Sequence, residues 1–230
     1  MNKKLLTLTL VTILLWLGLP FVILVYAPPE EIMQSLYRIF YLHLPLAWWA
    51  LLGFTSVFVC SVIFLIRRKR KTPSLVWDLW AESASETSLL FCALALGSGM
   101  IWAKLAWNTW WRFEPKLVTT LIVCLAYAVC LLLRKTSLPD GKRRVLAAVF
   151  SILAFLDLPF IFMASKLAEG AHPPPIVLQG GSLSQEMLFS LSYSLLAFGC
   201  LWLLFTILRF KQAKQELRLA TLRQEYFNHD

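Results

Sequence analysis

Six stretches of this chain are apolar for about 20 residues each, and they limit the folds open to it more than any other feature. They fall at about 5–27, 39–66, 86–104, 116–133, 145–163 and 187–208. A helix of roughly 20 apolar residues crosses a hydrocarbon core about 30 Å thick. Lipid offers the backbone no water, so each segment must close its own hydrogen bonds as an α-helix. The period-2 alternation of a membrane β-barrel is absent. The predicted fold is therefore all-α, a single six-span membrane bundle over 1–208 with a basic tail at 209–230. With 59% hydrophobic and 15% charged residues and a mean hydropathy of +0.68, a soluble domain is excluded. There is no internal repeat and no low-complexity tract.

The first apolar run follows Lys3 and Lys4 and ends near Val25-Tyr26-Ala27, so it has the outline of a secretory signal. Its length exceeds the roughly 7–15 apolar residues of a signal core, which predicts an uncleaved first span. Lysine and arginine set the orientation. The 67–71 run holds five, the 134–144 loop five, the tail from Arg209 five and the N-terminus two. The other side has only Arg38, Lys104, Arg112, Lys116 and Lys166. The positive-inside rule then places both termini in the cytoplasm. The net charge of +9 faces anionic membrane lipid there, and no nucleic-acid partner is needed to account for it. All five cysteines (60, 92, 124, 130 and 200) lie within spans and none forms C-x-x-C, so they read as small apolar residues. No G-x-x-x-x-G-K-[ST] phosphate loop is present, so any ATP-driven step would come from a partner.

Six spans with both ends inside leave three exported segments. The first runs from Pro28 to about Arg38, and His43 follows one turn into the next span. The second reads W-A-K-L-A-W-N-T-W-W-R-F-E-P from Trp102 to Pro115, with four tryptophans in ten residues: Trp102, Trp107, Trp110 and Trp111. A single interfacial tryptophan is ordinary anchoring. Four, with Phe113 beside them, read either as a dense aromatic belt or as a platform for a flat, largely apolar, anionic ligand. The third runs from about Ala164 to Gln185 and carries His172 before three prolines, which resist helix. His43 and His172 thus both face outward. Imidazole is a common axial ligand of haem iron, though a lone histidine at a span end is often a hydrogen-bonded interfacial residue. Arg38, Lys104, Arg112 and Lys116 fall at the same boundary, where they would snorkel or meet carboxylates. Glu114 could bond an imidazole or an indole N–H, or pair with Arg112 or Lys116. His229 lies in the polar tail with no specific role.

Three segments together, Y-R-I-F-Y-L-H-L-P (37–45), G-S-G-M-I-W-A-K-L-A-W-N-T-W-W-R-F-E-P-K-L (97–117) and D-L-P (157–159) with a later loop histidine, resemble the CcmC family. This is haem exporter protein C of bacterial cytochrome c maturation, within the superfamily named for its tryptophan-rich WWD segment. The likeness covers about 37–205. It implies a non-enzymatic protein of the cell inner membrane that binds haem b non-covalently. By that resemblance His43 and His172 would be the iron ligands. Trp102, Trp107, Trp110, Trp111, Phe113 and Glu114 would form the haem platform, with Arg38, Arg112 and Lys116 near the propionates. The family presents haem at the periplasmic face to the haem chaperone CcmE, together with CcmA, CcmB and CcmD. This chain departs from the family pattern in three places. Asn108 stands for the usual glycine, Phe113-Glu114 for aromatic-Asp, and no tryptophan pair precedes His172.

Two other functions fit the same features less well. A b-type electron-transfer cytochrome would want several histidines within spans. A transporter moving haem through the bundle would want ionisable groups at mid-depth. Asp157, just before Pro159, is the acidic candidate, but it is expected in a polar pocket near the surface. Glu82 and Glu86 are expected to open the third span, where negative charge suits a helix N-terminus. Leu217, Leu219, Ala220 and Leu222 among charges predict a weakly amphipathic tail helix on or near the membrane surface.

Overall fold

The computed structural model describes residues 3–30, 33–68, 73–167 and 183–227. The described residues form seven α-helices and no strand. They are α1 (Lys3–Phe21), α2 (Phe40–Arg67), α3 (Pro73–Trp107), α4 (Pro115–Leu133), α5 (Asp140–Phe155), α6 (Leu158–Leu167) and α7 (Gln185–Phe227). Six helical segments are long and apolar enough to cross a membrane, with α5 and the start of α6 together making one of them.

Prolines mark the irregular points. Pro20 near the end of α1 lacks the N–H of a regular helix, and a π-helical turn, Val22–Tyr26, follows it. The fifth span is not one helix, as its apolar run suggested. It breaks at Leu156-Asp157, where Pro159 has no N–H to give the carbonyl of Phe155.

Two helices outrun the bilayer. With 35 residues, α3 is about 52 Å long, and α7 with 43 is about 64 Å, against a core of about 30 Å. Apolar content marks only the membrane-embedded part of such a helix, so the predicted third span omitted its first thirteen residues. Glu82 and Glu86 therefore stand inside α3 rather than at its start. The tail expected along the membrane surface instead continues α7 without a break to Phe227.

α2 is the central helix, packing along α3 and also meeting α5 and α7. Tyr41, Phe54, Val57, Phe91 and Tyr127 are fully buried around it, and the rings of Phe54 and Tyr127 stack at 3.9 Å. Polar side chains hold the helices in register. Trp16 Nε1 and Trp49 Nε1 donate to the α7 carbonyls of Ala197 and Leu195 at 3.1 and 2.8 Å. Trp202 Nε1 donates to Ser88 Oγ at 3.1 Å, and Tyr193 OH donates to the Leu15 carbonyl at 3.0 Å. Where α2 meets α3 and α7, only glycine fits. A Cβ on Gly53 would lie 1.9 Å from Ser88 Oγ and 2.8 Å from Trp202 Nε1.

The acidic residues of α3 anchor one end of the bundle. Asp78, whose side chain has no exposed surface, accepts from Arg134 Nη1 at 2.9 Å and from Arg144. Arg209 of α7 grips both oxygens of Glu86 and reaches Glu216 at 3.2 Å. These contacts join the overhanging part of α3 to the α4–α5 connection and to the extension of α7.

Two outcomes test this packing. Gly53→Ala is expected to lower stability by about 1–3 kcal/mol, whereas Gly97→Ala, with open space around its Cβ, should gain up to about 1 kcal/mol of helix propensity. Thermal unfolding in detergent compares the two; equal effects would refute the packing. Asp78→Ala strands two guanidinium groups and should cost about 3–5 kcal/mol by the same measurement.

Candidate functional site

The candidate site lies at the other end of the bundle, where α2 and α4 begin and α3 ends. The entry to α2 is a 3₁₀ turn, Ser35–Ile39, which leads straight into the helix. This puts His43 on the second turn of the helix region, facing α3. Its Nδ1 lies 3.0 Å from the Ala95 carbonyl and 3.2 Å from Ser98 Oγ. A carbonyl can only accept, so Nδ1 carries the proton in this contact. Ser98 Oγ itself donates to the same carbonyl at 3.0 Å, which leaves its lone pairs for the imidazole. In the neutral ring the basic lone pair is then on Nε2. The close approach depends on Gly99, whose added Cβ would lie 3.0 Å from His43 Cε1.

His43 lines a cavity of about 130 Å³ between α2, α3, α4 and α6. Ala47 and Ala50 of α2, and Cys92, Ala95, Gly99 and Ala103 of α3, form facing walls of small residues at helical spacing. Trp110 and Trp111 close the outer rim, Lys116 and Thr120 contribute from α4, and Ile161 comes from α6. Pockets that engulf a ligand of drug size run to about 300–1,000 Å³. A cavity of this size takes one edge or face of a flat ligand and leaves the rest outside. Its walls are mostly apolar, with one imidazole and one ammonium. That donor set fits a flat apolar ligand with a metal centre and an anionic edge.

The sequence-predicted residues are only partly gathered. His43, Trp110, Trp111 and Lys116 share the cavity wall. Trp102 is adjacent, its ring edge-on to His43 at 5.8 Å and stacked with Trp107 at 6.5 Å. Phe113 is 88% exposed and touches Trp111 edge-on. Arg112 is half-exposed and lies 3.9 Å from Glu114, one of the pairings expected for that carboxylate. Neither Arg112, Phe113, Glu114 nor Arg38 is among the cavity-lining residues. Arg38 Nε and Trp102 Nε1 are buried without a hydrogen-bond partner. His172, and with it the second proposed ligand, lies outside the described residues, as does His229.

The tryptophan loop has a simple local logic. α3 ends at Trp107, and Asn108 follows with φ 54°, the left-handed conformation that closes many helices. Glycine is the usual residue there and asparagine the commonest alternative, so the departure at Asn108 preserves the backbone turn. Lys104 Nζ bonds Asn108 Oδ1 at 2.7 Å and secures it. Thr109 Oγ1 then donates to the Trp111 carbonyl at 3.0 Å, and Pro115 starts α4 at the position where a missing N–H is harmless.

Sequence reasoning missed the small residues facing His43. The i, i+3/i+4 run Cys92, Ala95, Gly99, Ala103 could have signalled them, since such stripes let helices approach closely. Asp157 stands at the α5–α6 break with Oδ2 buried and without a hydrogen-bond partner.

Known proteins resemble this chain along most of its length. A liverwort protein described as a putative cytochrome c biosynthesis ccmC-like mitochondrial protein, from Marchantia polymorpha, is 27% identical over 190 residues, covering 82% of this chain and 78% of its own length. Heme exporter protein C of Paracoccus denitrificans is 29% identical over 203 residues, 86% and 81% of the two chains. The protein of that name from Escherichia coli K12 is 24% identical over 188 residues, 81% and 74%. The family model described as CcmC, heme exporter protein C, matches residues 1–225. The chain therefore belongs to the CcmC family of heme exporter protein C.

Proposed function

We propose that this protein binds haem b non-covalently at the outer face of the bacterial inner membrane and presents it to the periplasmic chaperone CcmE. It does so without catalysing a reaction, alongside CcmA, CcmB and CcmD, with both termini cytoplasmic. Membership of the family supports the coarser part, a role in haem handling for cytochrome c maturation. The observation that carries the finer part is the hydrogen bond from His43 Nδ1 to the Ala95 carbonyl. Metal-binding histidines commonly donate their second ring nitrogen to a carbonyl or carboxylate, which fixes the tautomer and the ring plane.

In this reading His43 and His172 would hold the haem iron, which would supply the redox chemistry once delivered. The protein's own residues do the rest. Ala95 and Ser98 orient the imidazole. The indoles of Trp110 and Trp111 cover the porphyrin edge, with Trp102 and Trp107 stacked behind. Lys116 neutralises a propionate at the cavity wall, while Arg38, Arg112 and Glu114 act further out. Phe113, 88% exposed and outside the cavity wall, offers an apolar ledge on which the chaperone can dock without displacing that wall. A shallow cavity suits presentation, because a ligand held by one edge can be passed on. An electron-transfer cytochrome is disfavoured by a chain of three histidines in which, among the described residues, only His43 lies in a span.

His43→Ala and His172→Ala are each expected to lower the haem that co-purifies by more than about tenfold. If the double variant keeps both haem content and a bis-imidazole absorption spectrum, these ligands are wrong. Lys116→Gln should weaken haem retention by about tenfold, the scale of one charged hydrogen bond, whereas Arg112→Gln should stay within about twofold. A haem titration of the detergent-purified variants reads the difference, and the reverse order would relocate the propionate contact.

A further inference from the structure

The end of the bundle opposite His43 holds a second cavity, of about 220 Å³. It is an open cleft lined by α3, the α4–α5 connection, the start of α5 and the extension of α7. Its wall carries both signs of charge: Arg134, Arg143 and Arg144 against Glu82, Asp140 and Glu216. Most of these groups have partners. Arg143 bonds Asp140 and the Thr136 carbonyl, Arg144 bonds Asp78, and Glu216 bonds Arg209.

Two groups are left open to a further partner, and they are of opposite kinds. Arg134 is 6% exposed at its side chain and spends Nη1 on Asp78. Its Nη2 is buried with no hydrogen-bond partner. Glu82 comes no closer than 3.7 Å to Arg134 Nη1, beyond hydrogen-bonding distance. A buried guanidinium N–H without an acceptor is costly, whereas Glu82, 24% exposed at its side chain, is open to a donor from solvent or from a ligand. A plain anion would satisfy Arg134 but would face three carboxylates. A plain cation would do the converse. A ligand that carries an acceptor and a donor of opposite charge, a few ångströms apart, satisfies both.

The depth of the cavity says where such a ligand comes from. Arg134 follows the last apolar residue of α4, Arg143 and Arg144 precede the apolar run of α5, and Glu82 precedes that of α3. This is the level of the lipid headgroups, where basic pockets between membrane helices bind them. We propose that this cavity is a binding site for the zwitterionic headgroup of an aminophospholipid. The phosphate lies toward Arg134 and Arg143, and the primary ammonium lies toward Glu82 and Glu216. The bound lipid then clamps the extension of α7 to α3 and α5. A site built for N–H donors rejects an analogue that lacks them, so a quaternary ammonium headgroup is a poor ligand here.

The test uses the full-length protein, purified in detergent and delipidated. Short-chain phosphatidylethanolamine, phosphatidylcholine, phosphatidylglycerol and inorganic phosphate are added separately, and retention by native mass spectrometry and the thermal midpoint are read. The expected result is retention of phosphatidylethanolamine over phosphatidylcholine and phosphatidylglycerol by at least about tenfold, the scale of one charged hydrogen bond, with a raised midpoint. Glu82→Gln and Glu216→Gln should each erase most of the preference over phosphatidylcholine, and Arg143→Gln should weaken both lipids. Glu216 is 68% exposed, so its variant remains informative should Glu82→Gln fail to fold. Equal retention of the three lipids by the parent protein would overturn the proposal. So would a preference that survives in Glu216→Gln, or stabilisation by phosphate alone equal to that by phosphatidylethanolamine.

Discussion

The bundle depends on how closely α2 and α3 approach one another. In lipid there is little hydrophobic force between helices, so dispersion contacts and interhelical hydrogen bonds must hold them, and both need short distances. Gly53 on α2 meets Ser88 on α3 with no room for a Cβ, and Gly99 on α3 admits the ring of His43, while Ala47, Ala50, Cys92 and Ala95 line the cavity beside them. The same closeness lets an imidazole on one helix reach a backbone carbonyl on the other. A larger residue at position 95 or 99 would separate the helices and remove that contact. Packing and site are therefore one feature, seen at two places along the same helix pair.

The two ends of the bundle use different physics. Around His43 the chain presents indoles, small residues and a few cations, with few acids to compete for a cationic or metal-bearing ligand. At the far end, acids and arginines interleave across α3, the α4–α5 connection and α7. Asp78 and Glu86 are each held by arginines from other elements. These ion pairs act mainly as registration devices, since a buried pair gains little net stability over an apolar one yet is costly to break. They fix how the overhanging parts of α3 and α7 stand relative to the embedded core. The stiff frame at that end leaves the tryptophan loop, capped by Asn108 and Pro115, as the part shaped for contact.

Much of this was legible in the residues. The apolar runs identify six spans because lipid forces helix on any chain that crosses it. Trp102, Trp107, Trp110 and Trp111 stand out by density alone, and His43 by its place beside them. Asn108 could be read as a helix end, since asparagine is the usual substitute for glycine there. Other features were not legible. Hydropathy is blind to a helix once it leaves the bilayer, so the true lengths of α3 and α7 went unseen. Position along the loop does not say which way a side chain points. Trp110, Trp111 and Lys116 turn to the cavity, while Phe113 and Arg112 turn away from it.

Composition and period thus determined the class of the protein, its six spans and the segment that carries its aromatic shelf. These are local properties, written in consecutive residues and enforced by the solvent. Only the tertiary structure decided that Ala95 offers its carbonyl to His43, that Gly99 makes room for the ring, and that Glu82 and Arg134 share a cavity with the extension of α7. Each of those depends on residues tens of positions apart, and no periodic signal links them. They are settled by which helix faces meet, and that choice belongs to the packed bundle.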